Sequence, residues 1–335
     1  MPRCRGAPAR LATMSSNPSG APPARANDAA ASESAVASPI GDHEIAAVAD
    51  SLSCADKGAG SSAPRILSAL LDPDLEPADL ASRVASDPAL VIRVLRVANT
   101  PYYARAGAVS TVARAAQVLG QQTLRGIAAA ACFGRMTMAP SSGVGPDLAA
   151  FRRHSLSTAC AAQGLAQRLA PALADESFVA GLLHDLGKLV QWRLRPQAMA
   201  QLSALPGAAW AADRQRAELE IIATSHAHCG QRLLEAWQLP PTLASAVGAH
   251  HAHHAHHGAA APNPAARGSD GVGLADLLAL AELVTGDAGD AGDAGDGRCP
   301  VAELHPGDDA VAAACAAVAL TLPATLQRMA AVFGD

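Results

Sequence analysis

Histidine is the residue through which this chain could do chemistry: there are twelve, in a sequence whose aromatic share is only 3%. His154 stands in Phe151-Arg-Arg-His-Ser-Leu156, and thirty positions later comes Gly181-Leu-Leu-His184-Asp185-Leu-Gly187-Lys188. His226 follows in Ser225-His-Ala-His-Cys-Gly230, and His250-His251 opens a histidine tract running to His257. Imidazole nitrogen and carboxylate oxygen are the ligands that borderline divalent metals prefer. An adjacent His-Asp pair can give one ligand to each of two ions, or let Asp185 bridge them. Two such ions would activate water and clamp a phosphoryl group. The competing structural role is a polar cluster that knits helices together, each buried group satisfied by hydrogen bonds. Residue types alone leave both open.

The neighbours of these residues qualify the picture. Lys188 lies four residues beyond His184, on the same helical face. Its ammonium could bind a phosphate, or pair with a carboxylate and favour an empty site. His228 faces away from His226 on a helix and is expected in solvent. His250, His253, His254 and His257 fall at i, i+3, i+4 and i+7, a stripe that could chelate stray metal. A low-complexity extension of the His250-His251 pair is the preferred explanation. Ser155 and Ser225 adjoin histidines but sit in no GxSxG elbow, so a serine nucleophile is set aside.

Ligands this far apart in sequence need a scaffold to gather them, and composition points to helices. Half of the residues are apolar, and alanine, the strongest helix former, dominates them. A net charge of −5 and a pI near 6.2 exclude a global attraction to nucleic acid or anionic lipid. Seven scattered cysteines (Cys4, Cys54, Cys132, Cys160, Cys229, Cys299, Cys315) with no CxxC spacing argue against a disulfide framework or zinc ribbon. They fit a reducing cytosol. No apolar stretch follows Arg3, Arg5 and Arg10 as a signal sequence would require. No apolar run reaches the roughly 20 residues of a spanning helix; the nearest, 310–322, is expected to end at Pro323. The expectation is a cytoplasmic protein with no membrane contact.

Residues 1–62 are rich in Ala, Ser and Pro, and are expected to form a disordered tail; Met1 and Met14 are both candidate starts. Periodic sequence begins at Pro64-Arg65-Ile66-Leu67, and Ala78 to Val84 reads as a helix. Asp87-Pro88 predicts an N-cap and first turn, followed by an apolar face of Leu90, Val91, Val94, Leu95 and Ala98. Asn99-Thr100-Pro101 breaks that helix. One more runs through Val112, Ala116 and Leu119 to Gly120, and another from Thr123 to Phe133. A Pro/Ser/Gly loop then separates a first lobe, 63–136, from a second, 148–285, which contains a Gly/Pro/Ala linker at 258–272 and a helix over Leu274–Val284. The Gly-Asp-Ala repeat at 286–297 matches no calcium loop and is assigned to an acidic linker, 286–308. A final helix occupies 309–335.

The order His154, His184-Asp185 with Gly187-Lys188, His226 before Gly230, then His250-His251 resembles the HD superfamily of metal phosphohydrolases. The dyad resembles their metal-binding HD pair, His154 their upstream histidine ligand, and His226, His250 and His251 the further ligands of the HD-GYP branch. Leu80-Ala-Ser-Arg-Val-Ala-Ser-Asp87-Pro-Ala-Leu90, Leu95-Arg-Val-Ala-Asn99, Tyr102-Tyr103 and Val118-Leu119-Gly120 look like the first half of an HDOD domain. Trp237-Gln-Leu-Pro240 resembles part of its second half, so the likeness covers about 64–285. It implies an all-α, two-lobed helical bundle of the HD superfamily type. Two departures stand out. The Gly-Tyr-Pro motif of HD-GYP proteins is absent after His250-His251. The superfamily's closing metal aspartate is matched by Glu282, one methylene longer, while Asp276 is out of phase.

HDOD members are generally regarded as signalling outputs. The resemblance therefore implies a bacterial signal-transduction output or interaction module with a largely non-catalytic HD-like site. It would meet a signalling protein partner, and could sense a nucleotide or second messenger. Its metal set would be His154, His184, Asp185, His226, His250, His251 and Glu282, holding a divalent metal (Fe, Mn or Zn) or none. The alternative is a metal-dependent phosphohydrolase, a phosphodiesterase of HD-GYP type, with Asp185 and Lys188 as its catalytic groups. A third option, a DNA-binding regulator, rests on a faint helix-turn-helix likeness over Val112–Ala128. A plain helical hairpin and the negative charge stand against it, so nucleic acid is not the expected partner.

Overall fold

Asp87 shows how local sequence sets the helices. Its side chain accepts from the backbone N–H of Ala89 at 2.9 Å and of Leu90 at 3.3 Å, with Pro88 in the first turn. That caps α4 (Pro88–Ala98) by satisfying donors that no helical carbonyl reaches. Its second oxygen pairs with Arg135. Asn99 closes the same helix: its amide donates to Leu95 O and Val109 O and accepts from Val109 N.

The computed structural model describes residues 38–54, 63–72, 74–103, 108–137, 146–205, 215–251, 272–285 and 309–333, all within the unit Val36–Asp335. Among the described residues there are helices and no β-strand. Before α4 come α1 (Asp42–Cys54), α2 (Ala63–Leu70) and α3 (Pro77–Ala85). After it, α5 (Val112–Leu119) and α6 (Gln121–Met136) are separated by Gly120 alone. Gly120 has φ 79°, a left-handed backbone that glycine adopts without strain. This pair packs as two successive helices of the first lobe. Gln122 alone in α6 is exposed, and Leu124, Ile127 and Phe133 are core.

The second lobe is built on α7 (Leu148–Leu169), flanked by α8 (Ala174–Leu183), α9 (Leu186–Leu194) and α10 (Pro196–Ser203). A short helix α11 over 215–221 precedes α12 (His226–Ala236), α13 (Pro241–Ala249), α14 (Leu274–Thr285) and α15 (Asp309–Phe333). The linker at 286–308, its Gly-Asp-Ala repeat and the histidines beyond His251 lie outside the described residues.

Two sequence expectations need correction. The supposed tail 1–62 contains α1, whose Ile45, Val48, Ala49 and Leu52 are buried at i, i+3, i+4 and i+7 against α9 and α12. Polar contacts fix it: Trp237 Nε1 donates to Ala49 O at 3.2 Å, Ile40 N to Thr224 Oγ1 at 2.8 Å, and Arg195 to Glu44 at 3.1 Å. Average composition hid one amphipathic face among alanines and serines. The other correction concerns Pro323, which does not end the last helix but lies inside α15. Both Pro323 and Ala319, whose carbonyl loses its helical donor, are exposed, so water can satisfy that carbonyl. By length and composition Asp309–Gln327 could cross a membrane. In the fold its Val311, Ala314, Cys315, Val318 and Leu322 face is buried, and the helix packs on α7 and α14.

Candidate metal centre

Helix ends supply most of the site. His184 caps α8 and Asp185 starts the turn into α9, so the bend between the two helices aims both side chains inward. His226 is the first residue of α12, where Ser225 accepts from His228 N at 3.2 Å. His250 and His251 follow the last turn of α13. His154 and Glu282 come from within α7 and α14.

Two glycines let these elements approach. A Cβ on Gly181 would lie 2.5 Å from Ala159 Cα, and one on Gly187 would lie 1.9 Å from His226 O. Neither distance is tolerable, so only glycine permits the α7–α8 and α9–α12 crossings that set His154 beside His184 and Asp185 beside His226.

The side chains converge. His154 Nε2 lies 3.2 Å from His184 Nε2, which lies 3.2 Å from Glu282 Oε1. His226 Nε2 lies 3.3 Å from His250 Nε2 and 3.1 Å from His251 Nε2. Asp185 sits between these groups. Its Oδ2 is 3.4 Å from both His154 and His184 Nε2, and its Oδ1 is 3.4 Å from His226 Nε2. Glu282 Oε2 reaches within 3.5 Å of His251 Nδ1, so its extra methylene has not withdrawn the carboxylate. Two ligands each ~2.1 Å from one ion are about 3.0 Å apart at a right angle and about 3.4 Å apart at the tetrahedral angle. The observed spacings fall in or next to that range.

Proton placement points the same way. His184 Nδ1 donates to Gly181 O at 2.8 Å and His250 Nδ1 to Val247 O at 2.5 Å. His226 Nδ1 donates to Glu218 at 2.7 Å. With Nδ1 committed outward, the neutral rings turn Nε2 lone pairs toward one another, an arrangement that repels unless a cation or a proton lies between. Asp185 Oδ1 is buried with no hydrogen-bond partner among the described residues, a cost that a cation would remove. These residues fit a divalent metal. Two overlapping sets, His226-His250-His251 and His184-Asp185-His250-Glu282, each bring their ligand atoms within 4.8 Å of one another.

Burial and charge divide the titrating groups. Burial works against a charged His184, but Asp185 and Glu282 override it and raise its pKa to about 10. Burial lowers His250 to about 3 and His251 to about 4, each with a neighbouring histidine's repulsion adding to it, and burial lowers His226 too. Asp185 and Glu282 are held well below the usual carboxylate range: burial opposes this, but surrounding histidines, with Lys188 for Asp185, outweigh it.

All seven expected metal-set residues meet at this centre. Lys188, expected on the face of His184, donates to Asp185 Oδ2 at 2.5 Å. His184, Asp185, His226 and His250 are fully buried, whereas His154, Lys188, His251 and Glu282 keep some exposure and mark the solvent side. His228 is exposed, as expected. Asp276 instead accepts from Gly273 N at the start of α14. Glu218, on α11, was not found from sequence. It is fully buried and also accepts from His226 N at 2.7 Å. Nothing in the sequence separates it from Glu220 on the same helix, which pairs at the surface with Arg216.

Comparison with known proteins bears on the fold and the family. A protein from Shewanella amazonensis SB2B described as a phosphohydrolase is 26% identical over 87% of this chain and 98% of its own, with a TM-score of 0.59. An HDOD domain protein of unknown function from Geobacter sulfurreducens shares the fold at 21% identity, covering 86% and 97% of the two chains, with a TM-score of 0.60. An uncharacterised protein of Treponema pallidum (strain Nichols) is 24% identical over 188 residues, 55% of this chain. The aligned part is 35% of that relative's length. The HDOD domain model matches residues 60–253, more than half of the sequence, and the chain therefore belongs to the HDOD domain family.

Proposed function

We propose that this protein is a signal-transduction module whose HD-like centre binds divalent metal and, beside it, a phosphate-bearing messenger. The observation that carries this is the convergence of three Nε2 atoms whose rings already spend Nδ1 elsewhere. His154, His184, Asp185, His226, His250, His251 and Glu282 would hold the metal. Bound there, a divalent ion would supply Lewis acidity toward phosphate oxygen and acidify a coordinated water. Lys188 is placed at the solvent side, where its ammonium can exchange Asp185 for an incoming phosphate. Glu218 fixes the ring of His226, as an outer carboxylate does for a ligating imidazole. A cytoplasmic location is part of the proposal, supported by the buried free thiols of Cys132, Cys160, Cys229 and Cys315. So is relay to a signalling protein partner.

A second reading, hydrolysis of the messenger, is favoured by one feature: Asp185 presents one oxygen to His184 and the other to His226, the placement of a carboxylate shared by two ions. The description of the Shewanella protein as a phosphohydrolase is in line with it. The test uses tag-free protein produced with manganese and iron, assayed for bound metal and then with cyclic and linear dinucleotides. Metal with binding and no turnover supports the signalling reading; metal with turnover supports the second. Protein that neither carries nor takes up metal overturns both.

A further inference from the structure

A cleft of about 700 Å³ lies where the first lobe, α7 and α15 meet, and nothing at the metal centre uses it. Gln163 and Gln167 of α7 line it, nine and thirteen residues beyond His154, so it sits on the order of 14–20 Å along that helix. Among the described residues that line it there is no Lys, Arg, His, Asp or Glu. A phosphate or carboxylate would find no opposite charge among these residues, and burying one unpaired is costly.

What the walls offer instead is amides and rings. Gln122, Gln163, Gln167 and Gln327 all reach the cleft, and their carboxamides have no hydrogen-bond partner among the described residues. Each presents two donors and an acceptor in one plane, the pattern that reads the edge of a base. Phe178 and Ile127 make an apolar floor. Tyr102 stands edge-on to Tyr103, ring centroids 4.7 Å apart, and is 61% exposed at the rim, where a flat ring could stack. Gly126 keeps the Phe178 ring uncovered: a Cβ there would lie 3.6 Å from Phe178 Cε1, and a longer side chain would occupy the space. A small pocket sharing Gln122, Gly126, Gln163 and Phe178 with the cleft holds Asp175, whose Oδ1 is buried without a hydrogen-bond partner among the described residues. An N–H donor would satisfy it.

We propose that this cleft is a second small-molecule site, taking an uncharged heteroaromatic ring of the nucleobase class whose donor–acceptor edge is read by the glutamine amides. The occupant is a free small molecule rather than a nucleic-acid strand: among the described residues the cleft has no cation to track a phosphodiester backbone, and Arg125 in the adjoining small pocket already donates to the carbonyls of Asp72 and Leu75. The site is independent of the metal centre.

The test titrates full-length protein with adenosine, guanosine and uridine by calorimetry in EDTA, so the metal centre plays no part. At least one nucleoside should bind at one per chain. The double variant Gln163→Leu/Gln167→Leu should weaken it at least tenfold, with wild-type helical content and, before chelation, the wild-type metal level. Gly126→Leu, which fills the cleft, should abolish it. No binding by any nucleoside, wild-type affinity in both variants, or tighter binding of a single-stranded oligonucleotide than of its nucleosides overturns the proposal. Failure of the metal reading would leave these outcomes unchanged.

Discussion

Replacing Glu218 by glutamine tests whether the outer carboxylate matters to the centre. Glu218 is fully buried and receives two hydrogen bonds from one residue, His226 N at 2.7 Å and His226 Nδ1 at 2.7 Å. Glutamine keeps the shape and one acceptor, but removes the charge and puts an NH2 group where the second acceptor stood. Hydrogen bonds to a charged group contribute about 1.5–3 kcal/mol and neutral ones about half that. The loss in orienting the ring is then about 1–1.5 kcal/mol, near the low end of the 10–100-fold in metal affinity that such outer partners control. Competition with a chromophoric chelator should show manganese or zinc affinity falling by about tenfold in Glu218→Gln, with helical content unchanged. Glu218→Ala should fall further and lose stability, since it leaves a buried N–H unpaired. Affinity within twofold of wild type in Glu218→Gln, beside complete loss in His184→Ala, would refute the role given to Glu218.

Gly187→Ala should destabilise the protein by about 1–3 kcal/mol or more in urea melts, because its Cβ meets backbone at 1.9 Å. Gly134→Ala, with nothing within 4 Å, should be neutral or stabilising by up to about 1 kcal/mol; equal effects would contradict the packing described. The backbone N–H of Gly41, then Arg195, lower the Glu44 carboxyl below its usual value of 4.5. Its support for α1 docking is therefore complete above that value and lost as pH falls through the lowered one. A wild-type over Glu44→Gln difference in melting temperature, followed by Trp237 fluorescence with Trp192 and Trp210 replaced by Phe, should exist at neutral pH and vanish in acid; a difference that grows in acid refutes it. Burial pushes the Cys132 and Cys229 thiols up to about 12, so peptide mapping should find both unalkylated by iodoacetamide at pH 8 until denaturant is added.

The cluster was legible because identity and order sufficed: each of the seven candidate residues is a histidine or carboxylate in a recognisable local setting, and the Asp87-Pro88 cap announces where a helix begins. Glu218 was hidden for a physical reason. Its importance comes from burial against His226, a tertiary fact that its own short helix does not encode. The α1 helix escaped because four apolar residues among alanines carry little average hydrophobicity, although their spacing matches one helical face. Pro323 misled because a proline ends a helix only where the orphaned carbonyl has no other partner, and here solvent reaches it. The cleft could not be foreseen, since glutamines from separate helices and tyrosines from the turn after α4 have no shared sequence signature.

The central claim is that convergent Nε2 atoms and Asp185 hold metal. The most direct measurement is elemental analysis of tag-free protein in which His253, His254, His256 and His257 are replaced by Ala, so that the histidine tract cannot contribute. About one to two equivalents of a transition metal per chain should remain, and should disappear when Asp185→Ala is added. Metal that vanishes with the tract, or survives Asp185→Ala undiminished, would contradict the account.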